Sequence, residues 1–599
     1  MYLHLNQNSV RPPQTPTHVN EGEWIADSDD TGSGSSGPHL HLQIVVNSLA
    51  NRNIDNLDSA NKSRNPEIWL NPYNNITGSV IGKVTNTNGD PVPGISVYGL
   101  GKDPSWGYSF NETYTTTATL PPDDILMENW ATTDVTPGYY HITLNNGSDM
   151  GWHTVEAGQV TYVGLYPVWL PNIYGSYNNF TSQIAAVNNS SSYTAKIYLT
   201  FFNIDGSVNS QFNYQASPKA RAVFTTPMSN FYGSASLVSS EDLSVAVFNY
   251  NSTLTELNSY SGVTPKNGSG FPGWEIADKT LYAPSIKRNY YGRSSTINVF
   301  NSGLAPTTIH VDYYESGGYS RNGGDYVVQP YAWATIFPSG IGAGGCGIDN
   351  TICSAVITAN PPLPQALVVR EYSATSSLET STHNTFNAGA TTIYFPTVKY
   401  NYYNMTSGLV IQNIGNAVSH IELSIYNTDG SENNCHYTFL YVQPYASVVT
   451  PEFTCLGNNF VGTARATASQ PLAGVGYERS NSGQSRKKTY SAVISSSLHA
   501  LGPIVFGDST TMWSGIPVNC ISNYQGGCHL VVNFYNSDGS LNNSITWNIN
   551  PRGWKDFYPP AGMTGYAEII SDHEMAALIY LISKATSGDT MAIYNTVAR

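Results

Sequence analysis

Two histidines near the start of the chain, His39 and His41, are spaced so that they could share one chemical task. They stand at i and i+2 within residues 36–42, and on a strand such residues point to the same face. One imidazole can then bind a metal ion while the other transfers protons. A bare His-x-His pair is most often two polar strand residues, so the surrounding sequence has to supply the evidence.

The segments on either side of this pair carry further motif residues. Upstream lies the sequence Tyr-Leu-His-Leu, which includes His4, and a Gly/Ser-rich turn covers residues 31–37. Downstream, a segment with two prolines follows at 65–73. This order resembles the C-terminal half of lysostaphin-type (LytM-domain) zinc metalloendopeptidases, which cut peptide crosslinks in bacterial cell walls. The resemblance covers residues 1–75 and is most specific in the Gly-Pro-His-Leu-His core.

The resemblance implies a role for each histidine. His41 matches the zinc-binding His of the family, His39 matches the catalytic His beside it, and His4 matches a further active-site His that stabilises the tetrahedral intermediate. Zinc lowers the pKa of its bound water and polarises the peptide carbonyl, and a neighbouring imidazole relays the proton. The implied cofactor is zinc, and the implied partners are cell-wall peptide crosslinks.

The family pattern is incomplete in this chain. The other two zinc ligands of the family come from an earlier His-x-x-x-Asp motif, which does not occur upstream of His39. A catalytic zinc needs three protein ligands, and His41 alone does not hold one. Either Met1 is an internal methionine of a longer protein, or residues 1–75 are a degenerate, inert β-rich remnant. The chain as it stands is expected to be inactive, and activity depends on an upstream motif.

The composition predicts an all-β protein with polar turns. Charged residues make up only 11% of the 599 residues, while Tyr (42) and Gly (53) are abundant. Such a composition suits half-buried strands and does not suit a disordered chain. With a net charge of −15, we expect no binding to nucleic acid. No leader-like segment begins the chain and no apolar run is long enough to predict a transmembrane segment.

Six cysteines fall into three local pairs. Their even number and close spacing are typical of disulfides in an oxidising compartment, which predicts an extracellular or cell-surface protein. Sequence alone leaves the connectivity open, and pairing of neighbours is the simplest arrangement. A zinc cluster is the alternative, although Cys-x-x-Cys does not occur. The pairs are Cys346/Cys353, Cys435/Cys455 and Cys520/Cys528.

Residues 77–166 carry the pattern of one small sandwich. A strong turn signal, Asn-Gly-Asp-Pro-Val-Pro-Gly at 88–94, separates two short strand-like segments at 80–84 and 95–98. This pattern resembles the carboxypeptidase-regulatory-like Ig-type domain, a common spacer in secreted proteins. We therefore predict an Ig-like domain after the histidine-containing segment.

From residue 167 onward the chain repeats itself at domain-sized spacing. An aromatic strand end runs into an Asp-Gly or Gly-Gly hairpin turn four times, at 201–207, 313–318, 426–431 and 534–540. The repeats resemble the C-terminal repeats of secreted proteins from Chloroflexi-type bacteria, a likeness that says little about function. The prediction is a string of Ig-like β-sandwich modules, numbered 1 to 4 and placed at 167–280, 281–391, 392–500 and 501–599.

Two tyrosine pairs recur at the same position of successive modules. They are Tyr290 with Tyr291 in module 2 and Tyr402 with Tyr403 in module 3. Aromatic faces suit amphipathic partners such as sugar rings, so surface glycans are candidate ligands. The competing interpretation is that these rings pack across strands. Sandwich edges also offer self-association by strand addition.

Three functions follow from these patterns. The first is a secreted or cell-surface multidomain protein that carries a truncated cell-wall endopeptidase domain, with the modules as spacers or binding units. The second is a non-catalytic structural or adhesive surface protein, polymeric in one version, that keeps a degenerate peptidase remnant. The third is a carbohydrate-binding protein, which rests on the tyrosine pairs. Zinc content separates the first two, because a remnant should bind no zinc tightly.

Overall fold

The computed structural model describes residues 76–598 with gaps and, before them, four two-residue strands. These strands are β1 (Tyr2–Leu3), β2 (His41–Leu42), β3 (Ile44–Val45) and β4 (Ser63–Arg64). The other described ranges are 76–85, 91–103, 107–113, 127–145, 149–157, 159–265, 276–277, 280–303, 306–338, 346–347, 349–360, 365–373, 381–481, 487–494, 497–585 and 590–598. All elements in these ranges are strands, turns or bends, so the predicted all-β class is confirmed. The part of the chain that the structure describes contains no helix of the length and apolarity needed to cross a bilayer.

The domain that precedes module 1 is a sandwich of a four-stranded and a three-stranded sheet. Its strands are β5 (Gly78–Gly82), β6 (Ser96–Asp103), β7 (Gly107–Glu112), β8 (Trp130–Val135), β9 (Gly138–Leu144), β10 (Asp149–Val155) and β11 (Val160–Val163). The sheet orders are β10-β9-β6-β7 and β11-β5-β8, with β11 parallel to β5. Trp130 and Tyr140 fill the core. Tyr140 also donates a hydrogen bond to Thr136 O at 2.7 Å, which ties the ring to the loop before its own strand.

Module 1 shows the strand plan that all four modules share. Its strands are β12 (Tyr166–Gly175), β13 (Phe180–Asn188), β14 (Ala195–Phe202), β15 (Val208–Ala216), β16 (Arg221–Thr225), β17 (Phe231–Ser239), β18 (Leu243–Asn251) and β19 (Leu257–Ser261). They form two facing sheets of order β12-β17-β14-β15 and β16-β13-β18-β19. The core comes from alternating residues such as Ile197, Leu199 and Phe201 on β14, as the two-residue period of a strand requires.

Module 2 repeats the plan after a short parallel pair. That pair is β20 (Thr264–Pro265) and β21 (Ile276–Ala277). The module strands are β22 (Thr280–Arg288), β23 (Arg293–Asn301), β24 (Thr307–Tyr314), β25 (Ser320–Val328), β26 (Trp333–Ile336), β27 (Thr351–Asn360), β28 (Gln365–Ser373) and β29 (Ser381–Asn384). Their orders, β22-β27-β24-β25 and β26-β23-β28-β29, match those of module 1.

Modules 3 and 4 each use one long strand where the first two modules use two. Module 3 has β30 (Ala390–Tyr400), β31 (Met405–Asn413), β32 (Ser419–Asn427), β33 (Glu432–Val442), β34 (Ser447–Val449), β35 (Phe460–Ser480) and β36 (Lys487–Ser491). Module 4 has β37 (Ser497–Phe506), β38 (Met512–Cys520), β39 (Cys528–Asn536), β40 (Leu541–Ile549), β41 (Trp554–Phe557), β42 (Thr564–Ser583), β43 (Met591–Asn595) and β44 (Val597–Ala598). The first halves of β35 and β42 pair in one sheet and their second halves in the other.

The four modules close into a ring within one chain. The first strand of each module packs on the second sheet of the next: β12 on β23 and β28, β22 on β31 and β35, and β30 on β38 and β42. The series is completed by β37 of module 4, which packs on β13 and β18 of module 1. Modules that follow one another in sequence are therefore arranged around a common centre.

The last inner strands of the modules, β19, β29, β36 and β43, meet at this centre. Each ends in a small polar residue: Ser261, Asn384, Ser491 and Asn595. Asn384 Nδ2 donates to Ser261 O at 2.9 Å, and Asn595 Nδ2 donates to Ser491 O at 2.8 Å. Ser261 Oγ donates to Asn595 O at 2.7 Å, and Ser491 Oγ donates to Asn384 O at 3.0 Å. These buried groups satisfy one another across four modules.

The Asp-Gly hairpins found in the sequence form close contacts between neighbouring modules of the ring. In module 3, Asp429 Oδ1 accepts hydrogen bonds from the backbone and hydroxyl of Ser431 at 2.9 and 2.6 Å, which shapes the turn. Gly430 has φ of +85°, and a Cβ there would lie 2.0 Å from Pro551 O of module 4. The equivalent glycines Gly206 and Gly539 press in the same way on modules 2 and 1. Glycine at this turn therefore permits close contact between modules.

The seam between modules 4 and 1 is held by a buried arginine. Arg221 donates to Gly565 O at 2.5 Å, to Pro503 O at 3.3 Å and to Ser537 Oγ at 2.8 Å. Tyr566 OH donates to the backbone carbonyl of Lys219 at 2.7 Å from the other side. The contact joins residues up to 344 positions apart.

The three neighbouring cysteine pairs predicted from spacing are disulfides, one each in modules 2, 3 and 4. Cys346 is bonded to Cys353, and Cys520 to Cys528, and all four of these residues are buried. Each bond lies within one module, so it braces that module and does not link it to its neighbours. The zinc-cluster alternative is wrong for these six cysteines, because each sulfur is bonded to another.

The disulfide of module 3 differs from the other two in its surroundings. Cys435 is buried on β33, whereas its partner Cys455 is exposed in a turn between β34 and β35. Tyr437 OH lies 3.1 Å from Cys455 Sγ. The spacing of the two cysteines predicts their pairing but gives no sign of this exposure. Because one sulfur lies at the surface, the bond fastens the turn to the edge of β33 and does not fill the core.

Candidate binding pockets between the modules

A two-residue turn joins the first and second strands of modules 1, 2 and 3 and carries the predicted tyrosines. Both central residues have positive φ, as in type I′ hairpin turns: Asn178 and Asn179, Tyr291 and Gly292, and Tyr403 and Asn404. Bulky side chains rarely adopt this conformation. Tyr291 and Tyr403 are nevertheless 81% and 82% exposed. The same exposed ring with positive φ recurs at the same place in two modules, which makes this surface a candidate binding site.

A cavity of about 290 Å³, named pocket A, lies between modules 3 and 4. The turn of module 3 supplies one wall and the second sheet of module 4 supplies the other. Tyr402 and Tyr403 meet edge to face with ring centroids 4.6 Å apart, and Trp513 lies 6.2 Å from Tyr558. The aromatic residues that line the cavity are Tyr402, Tyr403, Trp513, Trp554, Tyr558 and Tyr580.

Next to one side of pocket A lies a buried ion pair, whose Lys399 lines the cavity and whose Glu478 does not. Lys399 Nζ donates to Glu478 Oε2 at 2.9 Å and lies 4.4 Å from the centre of the Tyr580 ring. Tyr580 OH donates to the second carboxylate oxygen of Glu478 at 2.5 Å. Glu478 is fully buried, and Lys399 is nearly so. Because both carboxylate oxygens accept hydrogen bonds, the buried charge is compensated.

Asp556 is the other charged group that lines pocket A. Burial raises its pKa to about 6, against the lowering effects of Lys399, of a hydrogen bond from Tyr558 and of Lys555, while Glu478 adds to the rise. Tyr558 OH donates to Asp556 Oδ2 at 3.2 Å. Above this pKa the carboxylate presents hydrogen-bond acceptors next to aromatic walls.

A larger cavity of about 890 Å³, named pocket B, lies between modules 1 and 2. Its module 1 wall is a stack of three tyrosines, with Tyr232 at 4.9 Å from Tyr174 and 5.1 Å from Tyr177. Two lining residues are charged, Glu256 from module 1 and Arg370 from module 2. Pocket B therefore has an aromatic wall like that of pocket A, but a cation in its facing module.

Pockets A and B occupy equivalent positions of the repeated plan. β26 and β41 both begin with Trp, and the third residue of each lines its pocket. In pocket B, Arg370 pairs with Thr296 across the sheet. In pocket A, Tyr580 pairs with Gly515 in the same register. The equivalent residues, pocket B first, are Thr296 and Gly515, Thr335 and Asp556, Phe337 and Tyr558, and Arg370 and Tyr580.

The junction between modules 2 and 3 carries the other predicted tyrosine pair. Tyr290 and Tyr291 meet edge to face at 4.7 Å, as their counterparts do in module 3. Beneath them Lys287 Nζ donates to both oxygens of Glu371 at 2.7 Å and lies 5.4 Å from the centre of the Tyr477 ring. Burial raises the pKa of Tyr477 to about 12, and the nearby Tyr290 and Glu371 add to the rise. Modules 2 and 3 therefore each contain a Lys–Glu pair at the equivalent position, Lys287 with Glu371 and Lys399 with Glu478.

The histidines of the sequence motif are not part of these pockets. His4 and His39 lie outside the described residues, and His41 is described only through its backbone in β2. That backbone is antiparallel to β1, with Leu3 opposite His41. Among the described residues, no group of three His, Cys, Asp or Glu side chains is placed to hold a metal ion. Their assignment to a zinc site remains a prediction.

Sequence reasoning identified the turn tyrosines but missed their partners from the next module. Asp556 and Arg370 gave no local signal, because each stands alone in an ordinary strand. The recurrence of Trp at 333 and 554 is a repeat signal that could have directed attention to β26 and β41.

Comparison with known proteins identifies no family for this chain. No protein-family model and no curated protein matches it. One similar solved structure is the tetra-tandem repeat in the extending region of a large adhesion protein, at 11% identity, with 71% of this chain and 97% of that chain covered and a TM-score of 0.09. Another is dimeric latent PorU from Porphyromonas gingivalis, at 10% identity, 60% and 32% coverage and a TM-score of 0.09.

Proposed function

We propose that this protein is an extracellular, non-catalytic binding protein that holds saccharides in the pockets between its modules. The observation that carries this proposal is pocket A, where Tyr403, Trp513 and Tyr558 flank the carboxylate of Asp556. Sugar rings present apolar C–H faces and a rim of hydroxyl groups. Aromatic faces accommodate the first, and a carboxylate accepts hydrogen bonds from the second.

The position of the pockets supports binding rather than catalysis. A binding site is typically a mostly apolar cavity with a few polar groups that fix the ligand, and pocket A has this character, whereas aromatic and polar side chains line pocket B in similar measure. In pocket A, Glu478 is engaged by Lys399 and Tyr580. Asp556 is thus the one carboxylate among the lining residues of pocket A.

Three disulfides favour an extracellular or cell-surface location. Surface glycans are then the partners that the protein would meet. The repeated modules give more than one binding position in a single chain, which favours an adhesive role through several weak contacts.

The proposal is tested by glycan binding of the intact chain. An array of neutral and acidic oligosaccharides identifies ligands, and calorimetric titration with a neutral ligand then measures affinity. Tyr403→Ala and Trp513→Ala should each lower that affinity about tenfold, since stacking contributes about 1 kcal/mol or more beyond area burial.

A matched control is Tyr441→Ala. Tyr441 is also a tyrosine with positive φ, 59°, and is 76% exposed, but it lines neither pocket. It should leave the affinity unchanged. Absence of saccharide binding by the wild type, or an equal loss in all three variants, would contradict the proposal.

A second candidate function is the cell-wall endopeptidase suggested by the histidine motif. One described feature favours it: β1 and β2 are paired, so the strand of His41 lies beside the strand that precedes His4. The residues at hand do not fit a catalytic zinc, because His41 is the single ligand that the family pattern assigns, and we derive no reaction step through the metal.

The experiment for this candidate is the zinc content and N-terminal sequence of the native secreted protein. If an upstream His-x-x-x-Asp is present, His41→Ala should abolish zinc binding and peptidase activity. His39→Ala should abolish activity while largely sparing zinc. Peptidase activity that persists in both variants would exclude the assigned residues.

A further inference from the structure

One residue of pocket B breaks the pattern of the repeated junctions. The strand registers place four residues at the same position of the second sheet, and those of modules 2, 3 and 4 lie near the turn of the preceding module. Three of the four are aromatic and one is a cation. In the order of modules 1 to 4 they are Phe248, Arg370, Tyr477 and Tyr580.

Arg370 is held among aromatic rings. Its guanidinium lies 5.8 Å from the centre of the Tyr372 ring, and Tyr174 and Tyr232 are close enough to interact with its charge. Its Nε is buried and has no hydrogen-bond partner within the described part of the chain. An arginine in such a place carries donors that a ligand can satisfy.

Glu256 is the second charged residue that lines pocket B. Arg370 and Lys488 act to lower the pKa of its carboxyl group, against the larger effect of burial, which raises it. Lys488 is buried, and its Nζ donates to Leu257 O at 2.9 Å, so it is held within the fold. Arg370 is therefore the one cation among the lining residues of pocket B.

We propose that pocket B binds an acidic sugar, with the sugar carboxylate on Arg370 and the ring against the stack of Tyr174, Tyr177 and Tyr232. The inference rests on the proposed saccharide-binding function and assigns a ligand class to one of its two pockets. A guanidinium and a carboxylate match as two parallel hydrogen bonds, which gives strength and orientation. Pocket A carries Asp556 at the strand position equivalent to Thr335, and its lining cation, Lys399, is already paired with Glu478, so pocket A should not favour such a ligand.

The test uses D-glucuronate and D-glucose, which differ only at C6, and inorganic sulfate. Saturation-transfer NMR titration of the intact chain gives each affinity. Wild type should bind glucuronate about tenfold more tightly than glucose, as expected for a charge-assisted hydrogen-bonded pair. Arg370→Tyr should remove this preference while glucose binding remains. The variant is matched to the fold, because modules 3 and 4 carry Tyr at this position.

Two further variants locate the effect. Arg370→Lys keeps the charge but loses the planar fork, so the preference should fall without vanishing. Asp556→Asn changes pocket A and should leave the preference for glucuronate intact. If Arg370→Tyr retains the preference, or if sulfate competes with glucuronate at equal concentration, the inference is overturned.

Failure of the broader proposal gives a different result. If glucose and glucuronate bind equally in the wild type, pocket B has no anion selectivity and only this inference fails. If neither sugar nor any oligosaccharide on the array binds, both this inference and the saccharide-binding function fail.

Discussion

Pocket A and pocket B are built by the same strands and the same turn, yet they differ in charge. Pocket A has the Lys399–Glu478 ion pair on one side and Asp556 in the facing module. Pocket B has Tyr174 where module 3 has Lys399, and Arg370 where module 4 has Tyr580. The backbone hydrogen bonds around them are conserved: the third residue of the second strand is Ser in both, and its hydroxyl accepts from the preceding strand at 2.8–2.9 Å.

This difference shows how a repeated scaffold separates position from selectivity. The turn and the sheet register place a cavity at each junction, and single substitutions then decide which ligand it suits. A ring of four sandwiches thus needs only a few changed side chains to present distinct sites. Substitutions and pH changes can therefore alter the properties of one pocket without those of the other.

The largest effect is expected from Glu478→Gln in pocket A. The change leaves the largely buried Lys399 without a carboxylate partner. Removal of one member of a buried ion pair costs about 3–5 kcal/mol. Urea denaturation should show this loss in the free energy of unfolding. The double variant Lys399→Tyr with Glu478→Asn copies Tyr174 and Asn249 of module 1 and should recover most of it. A double variant no more stable than Glu478→Gln would show that the two pockets are not interchangeable.

The next largest effect is expected from a change of pH, which should alter the free energy of unfolding through Asp556 of pocket A. The folded-state pKa of Asp556, about 6, lies above its ordinary value of 3.8. Between these values the folded state binds more protons than the unfolded state, so the free energy of unfolding falls as pH rises through this window, by at most about 3 kcal/mol. Denaturation from pH 3.5 to 7 checks this, and Asp556→Asn should lack that component.

Ligand binding should follow the same titration. A neutral sugar in pocket A needs the ionised carboxylate as acceptor, so its affinity should rise as pH increases through about 6. In pocket B, burial raises the pKa of Glu256, and protonation of that group removes a negative charge near Arg370. Binding of glucuronate should therefore not weaken between pH 7 and 5. Parallel loss of both affinities would argue against distinct sites.

A smaller loss of stability is expected when the contact between the Gly430 hairpin of module 3 and Pro551 of module 4 is disrupted. Gly430→Val places a side chain against Pro551 O at a φ of +85°, which should cost about 2 kcal/mol and displace module 3 from module 4. Binding at pocket A should weaken while pocket B keeps its affinity. Gly292→Ala is the control, because φ is also positive there, +72°, but no atom lies within 4 Å of the added Cβ. Equal effects of the two changes would mean that backbone conformation, not contact, matters at Gly430.

The smallest effect is expected from Tyr403→Gly. It removes a ring that is 82% exposed and relieves a positive φ of 47°. Thermal unfolding should shift slightly upward or stay unchanged, while affinity at pocket A falls about tenfold. Tyr402→Ala, which removes the better-packed ring of the pair, should instead lower the unfolding temperature. A destabilised Tyr403→Gly would show that the exposed ring supports the fold.

Much of this architecture was predictable from local patterns. Alternating strands and the turn at 88–94 predicted sandwiches, and the spacing of Cys435 and Cys455 favoured a local disulfide, although not the exposure of Cys455. These features depend on neighbours in sequence, which strand period and turn chemistry describe well. The zinc-site assignment of His4, His39 and His41 stays a prediction, as does the use of sandwich edges for self-association.

The sequence by itself determined the all-β class, the hairpin turns and the local disulfides, because each depends on residues that are close in sequence. It left open whether the paired tyrosines are exposed. The tertiary structure decided the ring and its pockets. Lys399 meets Tyr580 across 181 positions and Arg221 meets Gly565 across 344. No local period encodes such distances. The contacts arise because each module leaves one face of its sheets to be buried, and the next module covers it until the fourth returns to the first.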